Sequence, residues 1–308
     1  MARPTLHEVH IDRPLTAISV GYMNSDYIGS QFFPAVPVQN ISDKYFVFQK
    51  ADWFRDEAAI RTPGTRAARI HYGVSSSTYT CVETAIATGV PDEIVDNADD
   101  PLAPLADGTR YVTDKVQLAL EVDVAAQAVG NSIWSSSATP AVLWSNDTSD
   151  PLGDTETAMN TVVAAIGREA NTGALGRGLW RYVKNHPDIV DRIKGMAGPT
   201  SPAVVSINAV AALFGVDRLL IGRAIKDTAA DGATSSLSYV WGNHLVVAYV
   251  TQTPSLMSPT AGYVFTYKGR TVARYREDQE KQDVVEAAQS FVVKVVAADG
   301  GYLVKSAV

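Results

Sequence analysis

The chain has 308 residues, 46% of them hydrophobic and 19% charged, with a formal net charge of −7. A chain of that length buries about three quarters of its unfolded surface in one or two domains, and its composition excludes disordered and fibrous classes. The acidic balance argues against a protein whose main task is to neutralise phosphates, because such binders concentrate Lys and Arg.

In the first forty or so residues, Pro4, Pro14, Pro34 and Pro37 interrupt the apolar pieces LTAISV and QFFPAVPV, and no helical period is sustained. This stretch reads as an extended arm. Its start, MARPTLHEVHIDRPLT, carries Pro and charge where a secretory signal has its apolar stretch. Export by that route is therefore not expected, and a cytoplasmic origin is.

Lys44 to Ser75 reads KYFVFQKADWFRDEAAIRTPGTRAARIHYGVS. Lys44, Lys50, Arg55, Arg61, Arg66 and Arg69 outnumber Asp52, Asp56 and Glu57, so this segment is basic within an acidic chain. Strand composition at Val47 to Trp53 and Ala68 to Cys81, with the turn signal TPGT at Thr62 to Thr65, predicts a long hairpin. Few apolar residues lie between Asp52 and Arg69, so burial cannot hold the hairpin in place by itself. It needs a surface, supplied either by its own domain or by a neighbouring subunit. Cys81 is the one cysteine; it leaves no intrachain disulfide and is expected to be a buried thiol.

PDEIVDNADDPLAPLADG follows, with Asp92, Glu93, Asp96, Asp99 and Asp100 and no basic partner nearby in sequence. Their spacing does not match the Gly-containing calcium loop. A solvated acidic loop is expected, or a surface complementary to the basic hairpin of another copy, setting orientation and register.

Tyr111 to Val129 lacks Gly and Pro, and Val112, Val116, Leu120 and Val124 recur every four residues. This predicts the longest helix, about 28 Å, with a second stripe of Leu118, Val122, Ala125 and Val129 that calls for cover on more than one side. A second helix is expected over Thr155 to Thr172, with Asp154 as N-cap and Gly173 as stop. Trp134 and Trp144 lie in a loop or hairpin between the two and are expected to pack.

GALGRGLW, from Gly173, has the wrong glycine order for a dinucleotide fingerprint and reads as a connection. GLWRYVKNHPDIVDRIKG then predicts a short strand and a helix opened by Pro187 and closed at Gly195. A helix capped by Ser206 and ended by Gly215, the strand DRLLIG and the strand NHLVVAYV complete an α/β subdomain. The apolar runs Leu245 to Val250 and Phe291 to Val296 are far shorter than the roughly 18 residues a bilayer requires. Strand signals close the chain, with a turn at Ala298 to Gly301 predicting a terminal hairpin that returns to the sheet of the helical block.

The histidines at 7, 10, 71, 186 and 244 form no HExxH pair, and no Gly-x-Ser-x-Gly elbow is present. No catalytic, cofactor-binding or metal-binding residue is assigned. His186 is expected to cap or pack at a helix start.

The segments DKYFVFQKADWFRDEAAIRTPGTRAARIHYGVSSSTYTC, VPDEIVDNADDPL, WRYVKNHPDIVDRIKG, LFGVDRLLIGRA and SLSYVWGNHLVVAYV, in that order, resemble the major capsid proteins of tailed bacteriophages. These have the HK-ninety-seven-like fold also found in encapsulins. The resemblance implies an α+β capsid fold with an N-terminal arm (1–43) and an extended loop (44–90). A peripheral domain would comprise 91–174 and 258–308, with a spine helix at 111–129, and an axial domain 175–257. It further implies a structural protein without catalytic activity or cofactor, assembling with other copies into pentamers and hexamers of an icosahedral virion shell. Such a shell encloses double-stranded DNA without sequence-specific binding and has no membrane. Portal, scaffolding and decoration proteins would be further partners.

On this reading the intersubunit contacts fall to Lys50, Trp53, Arg55, Arg61, Arg66 and Arg69 on the basic ribbon and to Asp92, Glu93, Asp96, Asp99 and Asp100 on the acidic turn. No Lys and Asn pair matches the covalent cross-link of some relatives. An encapsulin-like nanocompartment, or a cytoplasmic α/β enzyme or ligand-binding protein, stands as the alternative.

Overall fold

The computed structural model describes residues 15–16, 19, 26–47, 54–58, 60–67, 69, 73, 75–98, 102–197, 205–230, 232–253 and 260–308. Two sheets, bridged by one long helix, organise the chain. The first has four strands: β1 (Ala35–Val38), β4 (Val82–Pro91), β11 (Gly262–Glu277) and β12 (Gln282–Val295), in the order β1-β11-β12-β4. β11 and β12 form a long antiparallel hairpin, β4 pairs antiparallel with β12, and β1 lies parallel to β11.

The long helix, α3 (Pro104–Val129), begins seven residues before the expected Tyr111. Pro104 explains the earlier start, because its missing N–H and fixed φ suit the first helical turn. Asp107 reinforces it by accepting from the Ala103 N–H at 3.3 Å. Twenty-six residues make a rod of about 39 Å. Near its start Val112 and Val116 pack with Val272, Val285 and Ala287 of the first sheet and with Leu15 of the arm. Near its end Val124, Ala125 and Ala128 pack with Ala174, Val246 and Ala248 of the second sheet.

That second sheet runs β5-β13-β10-β6-β7, built from β5 (Ser136–Ala138), β6 (Thr172–Gly176), β7 (Arg218–Gly222), β10 (Leu245–Ala248) and β13 (Gly301–Val304). Every residue of β6, β10 and β13 is buried, as expected of central strands covered on both faces. One face carries α4 (Pro151–Ile166), α5 (Arg177–Val183), α6 (Pro187–Ala197) and α7 (Ile207–Phe214), through a core that includes Leu175, Leu179, Ile189 and Phe214.

The terminal hairpin expected from the sequence is not formed. After β12 the chain turns through residues 298–300 and enters the second sheet as β13, between β10 and β5. Both edges of β12 are already taken by β11 and β4, whereas the apolar GYLV fits a slot buried on both sides.

Helix α4 also departs from expectation, running Pro151–Ile166 rather than 155–172. Asp150 is its cap, accepting from the Gly153 N–H at 2.8 Å, and Gly167 stops it at φ +67°. The glycine-rich stretch expected to be a connection is the central strand β6, and GLWRYV, expected as a strand, lies in α5. Glycine is required at Gly176, because a Cβ there would stand 1.8 Å from the Gly242 carbonyl oxygen. Helix α7 ends as read from the sequence: Ser206 Oγ accepts from the Ala209 N–H at 3.2 Å and Gly215 adopts φ +70°.

The basic hairpin is paired at its base, between β2 (Ser42–Val47) and β3 (Ser75–Thr80); beyond Val47 the expected strand at 47–53 lies outside the described residues. Aromatic residues seat this base on the first sheet, with Tyr79 stacked on Phe265 at 4.9 Å between ring centroids and Tyr45 beside the same ring. Cys81 is buried beneath it, and burial pushes its thiol above the ordinary range. Among the described residues no helix is long and apolar enough to cross a membrane.

Candidate functional site

Beyond its paired base the hairpin carries a ribbon whose described residues, from Phe54 to Arg69, are all exposed. Its tip is the TPGT turn read from the sequence: the Thr65 N–H donates to the Thr62 carbonyl at 3.1 Å and Gly64 takes φ +85°. Ile60 is 103% exposed. Arg55 pairs only with Glu57, at 3.3 Å, and Arg61, Arg66 and Arg69 form no ion pair among the described residues. Phe54 leans back on the chain itself, its ring lying over Gly167 at the end of α4. Lys50 and Trp53 lie outside the described residues.

The acidic turn is a short helix, α2 (Asp92–Asp96), following β4. Asp92 is not the unpartnered carboxylate its sequence context suggested: it accepts both guanidinium nitrogens of Arg276, near the end of β11. That bond holds its carboxyl below the usual carboxylate range. Arg276 also faces Asp283 at 3.8 Å and Asp278 at 3.6 Å. Glu93 and Asp96 are exposed and unpaired among the described residues, and Asp99 and Asp100 lie outside them.

Between α2 and the start of α3 lies an open groove of about 500 Å3, lined by Glu93, Ile94, Ala98, Leu102, Pro104 and Asp107. Ile94 and Leu102 are exposed there. Sequence reasoning registered the charge of this turn and missed its apolar floor, because Ile94 and Leu102 become neighbours only once α2 folds.

A buried junction ties the arm to both sheets. Glu121 of α3 is 2% exposed. Its carboxylate accepts from the backbone N–H groups of Ile28 and Gly29, at 3.0 and 2.6 Å, and from the indole of Trp241 at 2.6 Å. Burial raises its pKa, and the bonds from Trp241, Ile28 and Gly29 oppose that rise. The arm is further held by Ser19 and Thr113, whose hydroxyls meet at 2.8 Å.

A third exposed feature is the small hairpin of β8 (Ile225–Asp227) and β9 (Leu237–Tyr239), which presents Ile225, Leu237 and Tyr239 to solvent. Asp227 fixes its loop by accepting from the Ser235 hydroxyl and from the N–H groups of Ala229 and Ser236. These bonds, Ser235 foremost, hold its carboxyl below the ordinary range.

Ser149, His186 and Asp188 stand in the order of a catalytic triad, with Ser149 Oγ 3.0 Å from His186 Nε2 and Asp188 3.9 Å from Nδ1. The Ser149 hydroxyl donates to the Asn146 carbonyl at 2.7 Å, and both Ser149 and His186 are buried. The arrangement ties a loop to the start of α6 and gives no substrate access to the hydroxyl. His244 is an acceptor for the Ser306 N–H at 3.0 Å, and burial, helped by Lys305, lowers its pKa. Among the described residues no three His, Cys, Asp or Glu side chains converge as metal ligands. His7, His10 and His71 lie outside them.

No protein-family model matches the sequence. The chain is 26% identical to the major capsid protein of Burkholderia phage BcepMu over 313 aligned positions, covering 96% of this chain and 95% of that protein. It superposes on the crystal structure of a phage-related protein from Bordetella bronchiseptica with a TM-score of 0.77 at 26% identity, covering 97% and 98% of the two chains. Against the capsid of Cyanophage P-SCSP1u the TM-score is 0.59 at 10% identity, covering 99% and 92%, a likeness of fold alone. The chain thus has the α+β, HK-ninety-seven-like fold of phage capsid subunits, and the resemblance to phage major capsid proteins extends over nearly its whole length.

Proposed function

We propose that this chain is a phage major capsid protein, a structural subunit that closes with other copies into the icosahedral shell of a virion around double-stranded DNA. The observation that carries the proposal is the basic ribbon at 54–69. It projects from a well-packed base with every described residue exposed, a state that makes physical sense if a second copy supplies its bed. Full-length relatives that are phage capsid proteins support the same reading and do not favour the nanocompartment alternative.

On this reading residues 1–43 are the arm, 44–90 the extended loop, and α3 the spine of a peripheral domain drawn from 91–174 and 258–308. The 175–257 segment is the axial domain, whose β8 and β9 hairpin offers an apolar face to its counterparts around the axis of a pentamer or hexamer. An acidic chain suits a DNA container, because a wall that does not grip phosphate opposes neither filling nor ejection. The protein works by geometry and interface complementarity rather than by bond chemistry.

Electron microscopy with light scattering of the purified protein tests this reading. Closed shells built of pentamers and hexamers are the expected result. A monomer at every concentration, with residues 54–69 protected from protease, overturns it.

A further inference from the structure

We infer that the groove between α2 and the start of α3 receives the ribbon tip of a second copy, with Ile60 seated on Ile94 and Leu102 and the ribbon arginines on the acidic rim. The inference rests on the shell-subunit reading above and names the landing site that reading leaves open.

The tip and the groove are unsatisfied in complementary ways. Ile60 is fully exposed and flanked by Arg55, Arg61 and Arg66, which no ion pair beyond Arg55 with Glu57 engages among the described residues. The groove has an apolar floor, with Leu102 65% exposed and Ile94 55% exposed, and an acidic rim of Glu93, which is unpaired among the described residues, and Asp107, which shares its carboxylate with Arg110 at 3.1 Å; exposed Asp96 lies on the same turn as Glu93. Asp92, the first residue of α2, is already occupied by Arg276, which fastens that end of α2 to the end of β11. A cationic segment with one large apolar residue at its tip matches a rim and floor of this chemistry.

Two further features favour an extended occupant from another copy. β4 is the outer strand of the first sheet, nothing among the described residues pairs with its outer edge, and it runs directly into α2. An open strand edge leading into the groove suits a ribbon laid along it. The chain from Val47, at the paired base, to Ile60 spans up to roughly 45 Å when extended, enough to carry the tip beyond its own sheet.

Site-directed cross-linking tests the pairing. A disulfide forms only where two Cβ atoms come within about 4 Å, and the native Cys81 is buried. In oxidised shells of the double variant Ile60→Cys with Leu102→Cys, the monomer band on a non-reducing gel should give way to a ladder of linked oligomers. The control pair Ile60→Cys with Val142→Cys, the latter exposed elsewhere, should stay monomeric. Shells that form without the ladder, or that link through the control pair alone, overturn the landing site and leave the shell-subunit reading standing; unmodified protein that forms no shells removes that reading itself. A link confined within single chains also overturns the inference. If the double variant fails to fold, hydrogen exchange of the unmodified protein decides: slowing at both 60–67 and 93–107 on assembly supports the site, and unchanged exchange at 93–107 overturns it.

Discussion

The indole of Trp241 donates to the Glu121 carboxylate at 2.6 Å inside the protein, at the point where the arm, the long helix and the second sheet meet. The same carboxylate accepts from the Ile28 and Gly29 N–H groups, so one side chain satisfies three buried donors from two separate segments. Glu121→Ala would leave those donors without an acceptor, at about 1–3 kcal/mol each before any water enters. A loss of several kcal/mol is expected in a denaturant melt. Glu121→Gln should cost less, about 1–3 kcal/mol, because its carbonyl keeps one set of bonds while its amide meets the Gly29 N–H donor to donor. Equal stability of all three proteins would show that the junction carries no load.

Gly176→Ala tests the closest backbone approach in the second sheet. Its new methyl would stand 1.8 Å from the Gly242 carbonyl oxygen, which belongs to backbone and cannot swing aside as a side chain does. β6 pairs on both sides, with β10 and β7, so the strand has little freedom to shift. A cost of about 3 kcal/mol is expected, read as a lower urea midpoint with unchanged slope. Gly195→Ala, where a Cβ meets open space within α6, serves as the tolerant control.

What the sequence disclosed follows from how local each signal is. Helix α7 could be read at both ends because Ser206 and Gly215 act on backbone groups within a few residues of themselves. The exposure of the ribbon was legible for a similar reason, since a segment poor in apolar residues cannot bury itself wherever it lies. The bond from Arg276 to Asp92 was not legible, because 184 residues separate the two and the acidic turn shows no cation of its own. Glu121 gives no signal at all: a Glu within a helical period looks solvated until Ile28, Gly29 and Trp241 close over it. The crossing of β13 into the second sheet is equally silent, since a four-residue apolar strand does not state which sheet has room for it.

The Asp92 and Arg276 pair has a definite pH signature. Arg276 lowers the folded pKa of Asp92, so the pair stabilises the turn above the carboxylate's ordinary range, and that contribution is lost as pH falls through the lowered value. Protection of the amides across residues 92–97, taken relative to the intrinsic exchange rate at each pH, should therefore be high at neutral pH and fall below about pH 4. Arg276→Ala should exchange fast already at neutral pH and show a weaker acid response. Identical profiles for the two proteins would rule out the pair as the fastener of α2.

Charge reversal of the ribbon separates folding from assembly. Arg55, Arg61, Arg66 and Arg69 are exposed, so changing all four to Glu should leave the thermal midpoint of the subunit nearly unchanged. Exposed pairs contribute about 0.2–1 kcal/mol each; losing four removes about 1–4 kcal/mol from each ribbon contact, a weakening of about fourfold to several hundredfold. Added like-charge repulsion against Glu93 and Asp96 increases the loss. Shell yield at low salt should collapse, and the gap between variant and unmodified protein should narrow as salt rises, because screening at 1 M acts over about 3 Å. Sedimentation of the two proteins across a salt series reads both effects. Equal yield at every ionic strength would mean that the ribbon's charge takes no part in joining one copy to the next.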